Sequence, residues 1–201
     1  MEGKVCRIIK KGKTGTPIGE PCASCGVKCC NRFAVPLTGF DVARIIDATG
    51  VGAQDFCRLE RADLIGEAPH SKIFIFVGGR IEERLLALKR RKNEYCVFSL
   101  HSEGCAVWGA HPYACKAYPF ELDENGKIRY GDNFVCPRKW ESGEFDVKKV
   151  SEIVRGMRGE IEEYNKIVRK WNAQFAKEGD EKKFFSYLLK ESRTQMDGPE
   201  K

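Results

Sequence analysis

Long apolar runs are absent from this sequence. The longest, from Ile73 to Val77, falls far short of the ~20 residues that span a bilayer, so neither a membrane-spanning helix nor a membrane partner is expected. The first residues, Met1 to Arg7, carry no apolar core of a secretory leader, and a cytoplasmic protein is expected. The familiar catalytic arrangements are missing too. No paired carboxylates, Ser–His–Asp set or phosphate loop stands out, and Gly78-Gly79 is a pair of glycines rather than a nucleotide motif. No recognised nucleic-acid-binding motif accompanies the formal charge of +6, so nucleic acid is not the expected partner.

Cysteine, by contrast, is abundant, with ten in 201 residues. In a cytoplasmic chain this density points to metal or redox chemistry rather than structural disulfides, hyperthermophilic proteins being the exception. The stretch Cys22-Ala-Ser-Cys25-Gly-Val-Lys-Cys29-Cys30 places four sulfurs within nine residues. A two-residue gap lets a tight turn bring two thiolates onto one metal, and Gly26 suits the sharp backbone of such a turn. The adjacent pair is less ordinary. Neighbouring side chains of an extended segment point to opposite faces, so either Cys29 or Cys30 is not a ligand or the two serve different centres.

Four further cysteines follow near turns: Cys96, Cys105, Cys115 and Cys136. Eight thiolates suffice for two four-sulfur sites. Spacing alone does not choose between tetrahedral zinc and a 4Fe–4S cluster, although Cys136-Pro137 matches the Cys-Pro step found beside ferredoxin clusters. Eight thiolates around two dications would bring the net charge to about +2, so the basic surplus offsets the metal sites. Lys28, Lys116 and Arg138 adjoin these cysteines and are placed to stabilise thiolates or to face solvent. Cys6 has no sulfur nearby, and Cys57, among Phe56, Leu59 and Leu64, reads as a small buried apolar residue.

Hydrophobic periodicity supplies the frame. Thr38 and Asp41 mark a helix start, and Phe40, Val42, Ala43, Ile45 and Ile46 continue it to Gly50. A second helix is expected from Ala53 to Leu64. Strands are expected at 73–77, ended by Gly78-Gly79, at 94–100 and at 127–130, while 80–91 shows no decisive period. From Asp146, apolar residues alternate four and three apart through Val150, Val154, Met157, Ile161, Tyr164, Val168, Trp171 and Phe175, which predicts a long amphipathic helix. A shorter helix covers 181–191. The expected fold class is α+β: a small, irregular, cysteine-rich metal-binding domain with short strands over residues 1–145, a helical extension over 146–193 packed on it, and a disordered tail over 194–201. The chain is expected to be a monomer, or a dimer through the long helix, with an unidentified protein as partner or substrate.

Taken in order, Cys22-x-x-Cys25-Gly-x-x-Cys29-Cys30, Leu37-Thr38, Cys96-Val-Phe-Ser-Leu100, Cys105, His111-Pro-Tyr-Ala-Cys115-Lys-Ala-Tyr-Pro-Phe120 and Cys136 resemble a family of cysteine-cluster proteins described as zinc- or iron-chelating domains. The resemblance covers roughly residues 20–140. It implies that Cys22, Cys25, Cys29, Cys30, Cys96, Cys105, Cys115 and Cys136 are the metal ligands, and it favours a 4Fe–4S cofactor in a redox or radical-type role, with zinc as the alternative. Cys6 and Cys57 match nothing in the pattern. His111 stands where the family usually has Arg, which leaves open a charge-pairing role, ligation, or a substitution that only hydrogen-bonds a cluster sulfur or a backbone carbonyl. Tyr113, Tyr118 and Phe120 are expected to form the apolar shell of the site. Some relatives are described as flagellin lysine N-methylases, which would imply S-adenosylmethionine, but no methyl-donor site stands out in this chain.

Overall fold

The computed structural model describes residues 29–65, 68–100, 105–131, 135–136, 143 and 145–198. It confirms an α+β chain and divides it into two compact units with interleaved sequences. Unit 1 comprises Met1–Val35 and Arg90–Arg158, and unit 2 comprises Pro36–Lys89 and Gly159–Lys201. The division differs from the expected boundary at residue 145. Residues 36–89 join the C-terminal helices because their apolar faces are buried together.

Unit 2 starts with α1 (Gly39–Thr49). Thr38 accepts from the Asp41 N–H while Asp41 accepts from the Thr38 N–H, a reciprocal cap, and Gly50 at φ 67° closes the helix in the left-handed region that glycine adopts without strain. The expected second helix lasts only one turn, α2 (Ala53–Phe56). It gives way to β1 (Cys57–Arg61) and another short turn, α3 (Ala62–Ile65). The residues of β1 are respectable helix formers, but Cys57 and Leu59 are buried alternately, and the strand pairs in register with Leu85 to Leu88. Tertiary pairing overrides local propensity here.

The hairpin β2 (Ile73–Val77) and β3 (Arg80–Leu88) completes a three-stranded antiparallel sheet in the order β1-β3-β2. The central strand β3 is exposed or half-buried over its charged first half and buried at Leu85, Leu86, Ala87 and Leu88 in its second. A strand of that kind shows neither alternation nor a helical period, which explains the silence of 80–91.

The long helix α5 (Val147–Phe175) forms as expected, and its residues 159–175 belong to unit 2. Ile161, Tyr164, Ile167, Val168 and Trp171 are buried. Asn165 and Asn172, two helical turns apart, face the edge strand. Asn165 accepts from the Ser71 N–H at 2.6 Å and donates to the Pro69 carbonyl at 2.9 Å. Trp171 Nε1 donates to the Phe74 carbonyl at 2.9 Å. A helix thus caps the outer edge of β2, which would otherwise offer unpaired backbone groups. The last helix, α6 (Glu181–Met196), is capped by Asp180 and continues past the expected end at 191 into the segment assigned to the tail. It lies so close to α1 that a Cβ on Gly39 would meet Ser192 Oγ at 2.2 Å and Leu188 Cδ1 at 2.6 Å.

Unit 1 contains a short 3-10 turn at Cys29–Asn31, the one-turn helix α4 (Tyr113–Ala117), the hairpin β4 (Phe120–Leu122) with β5 (Ile128–Tyr130), and residues 147–158 of α5. Its core consists of Ala117, Phe120, Leu122, Val150 and Val154, with Ile128, Phe145 and Met157 packed around them. Arg158 donates to the Leu122 carbonyl at 2.6 Å and ties the helix to the hairpin. The strand expected at 94–100 does not form. Among the described residues it is replaced by isolated bridges, Arg90 with Cys96 and Ser99 with Cys105. The apolar side chains there are buried singly in turns, and among the described residues no long partner strand lies alongside to extend the ladder.

Candidate metal centre

Five of the eight candidate ligands have described side chains, and all five belong to unit 1: Cys29, Cys96, Cys105, Cys115 and Cys136. Cys22, Cys25 and the side chain of Cys30 lie outside the described residues, as do Cys6, Lys28, His101 and Arg138. Among the described residues no group of three or more His, Cys, Asp or Glu side chains gathers around one point.

Local hydrogen bonds hold each described cysteine. The Cys29 carbonyl accepts from the Arg32 N–H at 2.8 Å and the Phe33 N–H at 3.3 Å, which curls the backbone behind the Cys29-Cys30 pair. The turn is also tied to Cys96, whose N–H donates to Asn31 Oδ1 at 3.1 Å. Cys96 is buried, and its carbonyl accepts from the Ser99 N–H at 3.0 Å. Cys105 pairs with Ser99, and its carbonyl accepts from the Trp108 N–H at 3.2 Å. Cys115, half-buried on α4, donates its N–H to the Pro112 carbonyl at 3.0 Å.

Two tyrosines grip Cys136. Its N–H donates to the Tyr118 hydroxyl at 3.1 Å, and the Tyr130 hydroxyl donates to its carbonyl at 3.3 Å. Burial pushes the Tyr118 hydroxyl above the usual tyrosine range, and the charges of Cys29 and Cys136 add to that push. Tyr130 is raised as well, again chiefly by burial. Both phenols therefore stay protonated beside the cysteines. Tyr118 and Phe33 bring their rings to 5.9 Å, so the 29–33 turn and the 135–136 segment meet on one side chain. Of the three residues expected to form an apolar shell, Tyr118 meets candidate-ligand segments, with a hydrogen bond added, while Phe120 belongs to the core of the β4–β5 hairpin. Periodicity gave no sign of these contacts. The available signal was positional: Asn31 adjoins the cysteine pair, and Tyr118 stands one turn after Cys115.

His111 is buried and stacked on Trp108 at 4.4 Å, with the rings 16° apart. Its Nδ1 accepts from the Gly109 N–H at 3.2 Å. Burial, reinforced by Lys116, pushes its pKa down to about 4, so the ring is neutral at pH 7. The Nδ1 lone pair is engaged, and the ring proton sits on Nε2. The histidine acts here as a packed hydrogen-bonding neighbour.

Cys57 belongs to unit 2. Its thiol donates to the Ala53 carbonyl at 2.9 Å, and burial pushes its pKa up to about 12. It is a buried core thiol, as its apolar neighbours suggested. Gly78 and Gly79, both at positive φ, form the exposed turn of the β2–β3 hairpin.

The donor chemistry fits a zinc or iron site. Soft thiolates from several turns, buried or half-buried, are the ligands such metals take, and the half-buried phenols of Tyr118 and Tyr130 stand beside one of them. The described residues make up an α+β protein whose candidate ligands all lie in one cysteine-rich unit. The comparison of families agrees. The model of the CxxCxxCC family, described as a putative zinc- or iron-chelating domain, matches residues 21–137, and the chain belongs to that family. No curated protein and no solved structure matches the chain.

Proposed function

We propose that this protein binds iron as a 4Fe–4S cluster in a redox or radical-type role, with Cys22, Cys25, Cys29, Cys30, Cys96, Cys105, Cys115 and Cys136 as the ligand set. The observation that carries the reading is the grouping of the five described cysteines in unit 1, apart from Cys57, within a chain of the zinc- or iron-chelating family. When bound, the cluster would supply one-electron chemistry at a potential set by its charge, hydrogen bonds and solvent access. The residues of this chain supply the rest. Four thiolates per cluster leave a net negative site, which the formal +6 of the chain balances. The phenols of Tyr118 and Tyr130 hold the peptide of Cys136 on both sides. A cytoplasmic location accompanies the reading, because thiols stay reduced there.

The family description names zinc beside iron, and this supports a second reading: a structural zinc module that presents a surface to a protein or RNA partner. Anaerobic purification separates the two. A brown protein with acid-labile sulfide and iron, and a paramagnetic signal on reduction, is the expected result. A colourless protein with stoichiometric zinc and no sulfide favours the second reading and ends the first. The methylase reading has only the resemblance behind it, and a flat titration of the holo-protein with S-adenosylmethionine would dispose of it.

A further inference from the structure

Three cysteine-bearing segments meet at Tyr118. The residue closes the turn that carries Cys115, its N–H donating to the Ala114 carbonyl at 3.2 Å. Its hydroxyl accepts the Cys136 N–H at 3.1 Å. Its ring packs at 5.9 Å against Phe33, whose own N–H is tied to the Cys29 carbonyl at 3.3 Å. A tyrosine needed only for bulk would use its ring alone. Here the hydroxyl is committed to the peptide of one candidate ligand, and the ring braces the turn of another. A hydroxyl that accepts one hydrogen bond still has its own proton to donate.

We propose that Tyr118 is a positioning residue of the metal centre, holding Cys29 and Cys136 as ligands of one and the same centre through its hydroxyl on the Cys136 peptide and its ring on Phe33. The proposal rests on the metal-binding reading above and deepens it, because it states which cysteines share a metal. Tyr130 completes the clamp by donating to the Cys136 carbonyl at 3.3 Å, so the ligand peptide is fixed on both sides. Groups that orient metal ligands from outside matter to affinity: their loss typically costs ten- to hundredfold in metal binding.

Cobalt(II) is the probe, since its thiolate absorption bands report both ligand number and geometry. The 201-residue chain is loaded with cobalt as wild type, Tyr118→Phe, Phe33→Ala, Cys29→Ser, Cys136→Ser and the Cys29→Ser/Cys136→Ser double. Tyr118→Phe keeps the ring and loses the hydroxyl. It should bind cobalt at least tenfold more weakly, with shifted thiolate bands, while the unfolding midpoint of the metal-free protein falls only by the one hydrogen bond that the Cys136 N–H loses. Phe33 is 36% exposed, so Phe33→Ala tests the ring contact even if Tyr118→Phe does not fold, and it should weaken cobalt in the same direction. The double cysteine variant should lose no more cobalt than either single. Wild-type bands and affinity in both aromatic variants would overturn the proposal, as would a double that loses one more equivalent than the singles. A wild-type protein that takes up no cobalt, zinc or iron defeats the metal reading itself, a result distinct from either of these.

Discussion

Asn172 completes the hydrogen bonding around Phe74 as a fourth strand would. Its Oδ1 accepts from the Phe74 N–H at 2.9 Å, and its Nδ2 donates to the Lys72 carbonyl at 2.8 Å. A side chain of this length on a helix can reach both groups only if the helix runs close along the sheet edge, where the neighbouring Trp171 is fully buried. Asn172→Leu should therefore lower unfolding stability by about 1–3 kcal/mol, because it leaves the part-buried Phe74 N–H without its partner. Asn172→Asp keeps the acceptor, loses the donor and should fall between the two. Urea denaturation followed by circular dichroism checks the order, and a Leu variant as stable as wild type would show that the pairing contributes nothing.

The contact between α1 and α6 makes an equally local prediction with two signs. Alanine is the better helix former, so Gly39→Ala would ordinarily stabilise α1 by roughly 0.5–1 kcal/mol. At this position the added methyl would overlap Ser192 Oγ and the buried Leu188 side chain, and neither has room to withdraw. Overpacking of this kind costs about 1–3 kcal/mol, so the net effect is destabilising. Ser192→Ala works the other way. Its hydroxyl is buried and has no hydrogen-bond partner among the described residues, so removing it should be neutral or stabilising by about 1 kcal/mol. The double variant should recover part of the Gly39→Ala loss. Thermal unfolding of the four proteins measures the coupling.

How much of this was legible beforehand depends on the range of the signal. The start of α1 was plain because Thr38, Asp41 and Gly50 act on their own neighbours. The stripe of α5 was plain because its period is internal to the helix. β1 was not, because Cys57 to Arg61 become a strand only when Leu85 to Leu88 lie alongside. The reach of Asn165 and Asn172 was hidden for the same reason: polar residues on a helix read as solvent-facing until a strand edge is known to pass them. Within the site, the sulfurs announced themselves by residue type and spacing. Tyr118 was expected near the site for its ring, but its hydrogen bond and those of Asn31 and Tyr130 were not legible, since each acts on a peptide group brought close by the fold rather than by a pattern. Cys57 and His111 were separated from the ligand set by surroundings: a carbonyl-bonded thiol in unit 2, and a ring whose lone pair is already engaged.

His70 gives a pH-dependent prediction. The ring is buried in unit 2 with its edge against Tyr164 at 5.8 Å, and burial pushes its pKa from 6.5 down to about 4, with Glu160 pulling weakly upward. In the unfolded chain the same histidine titrates near its ordinary value. Between the two values the unfolded state binds a proton that the folded state refuses, so stability is full above pH 6.5 and is lost as the pH falls toward 4. The loss at the acid end amounts to about 3 kcal/mol at most. His70→Gln removes the titrating group, and its stability should fall less steeply between pH 6.5 and 4.5 than that of the wild type. Parallel slopes in denaturant titrations at three pH values would contradict this origin.

The last prediction concerns the adjacent cysteines. The bond pattern at Cys29–Asn31 curls the backbone tightly, with both the Arg32 and Phe33 N–H groups turned to the Cys29 carbonyl. The sequence sets two sulfurs side by side at Cys29 and Cys30, and a division between two centres accounts for both being present. Cys29→Ser and Cys30→Ser should then each lower the metal content by about one centre. The pair together should lower it by about two, because each serine removes a ligand from a different four-sulfur set. Cys57→Ser is the control. Its thiol is a buried hydrogen-bond donor in the other unit, and a serine hydroxyl can make the same bond to the Ala53 carbonyl, so metal content should not change. Metal and sulfide analysis of the four variants after identical reconstitution decides the matter. A Cys30→Ser protein with full wild-type metal would leave one centre fed by Cys29 alone, and the two-centre arrangement would fail.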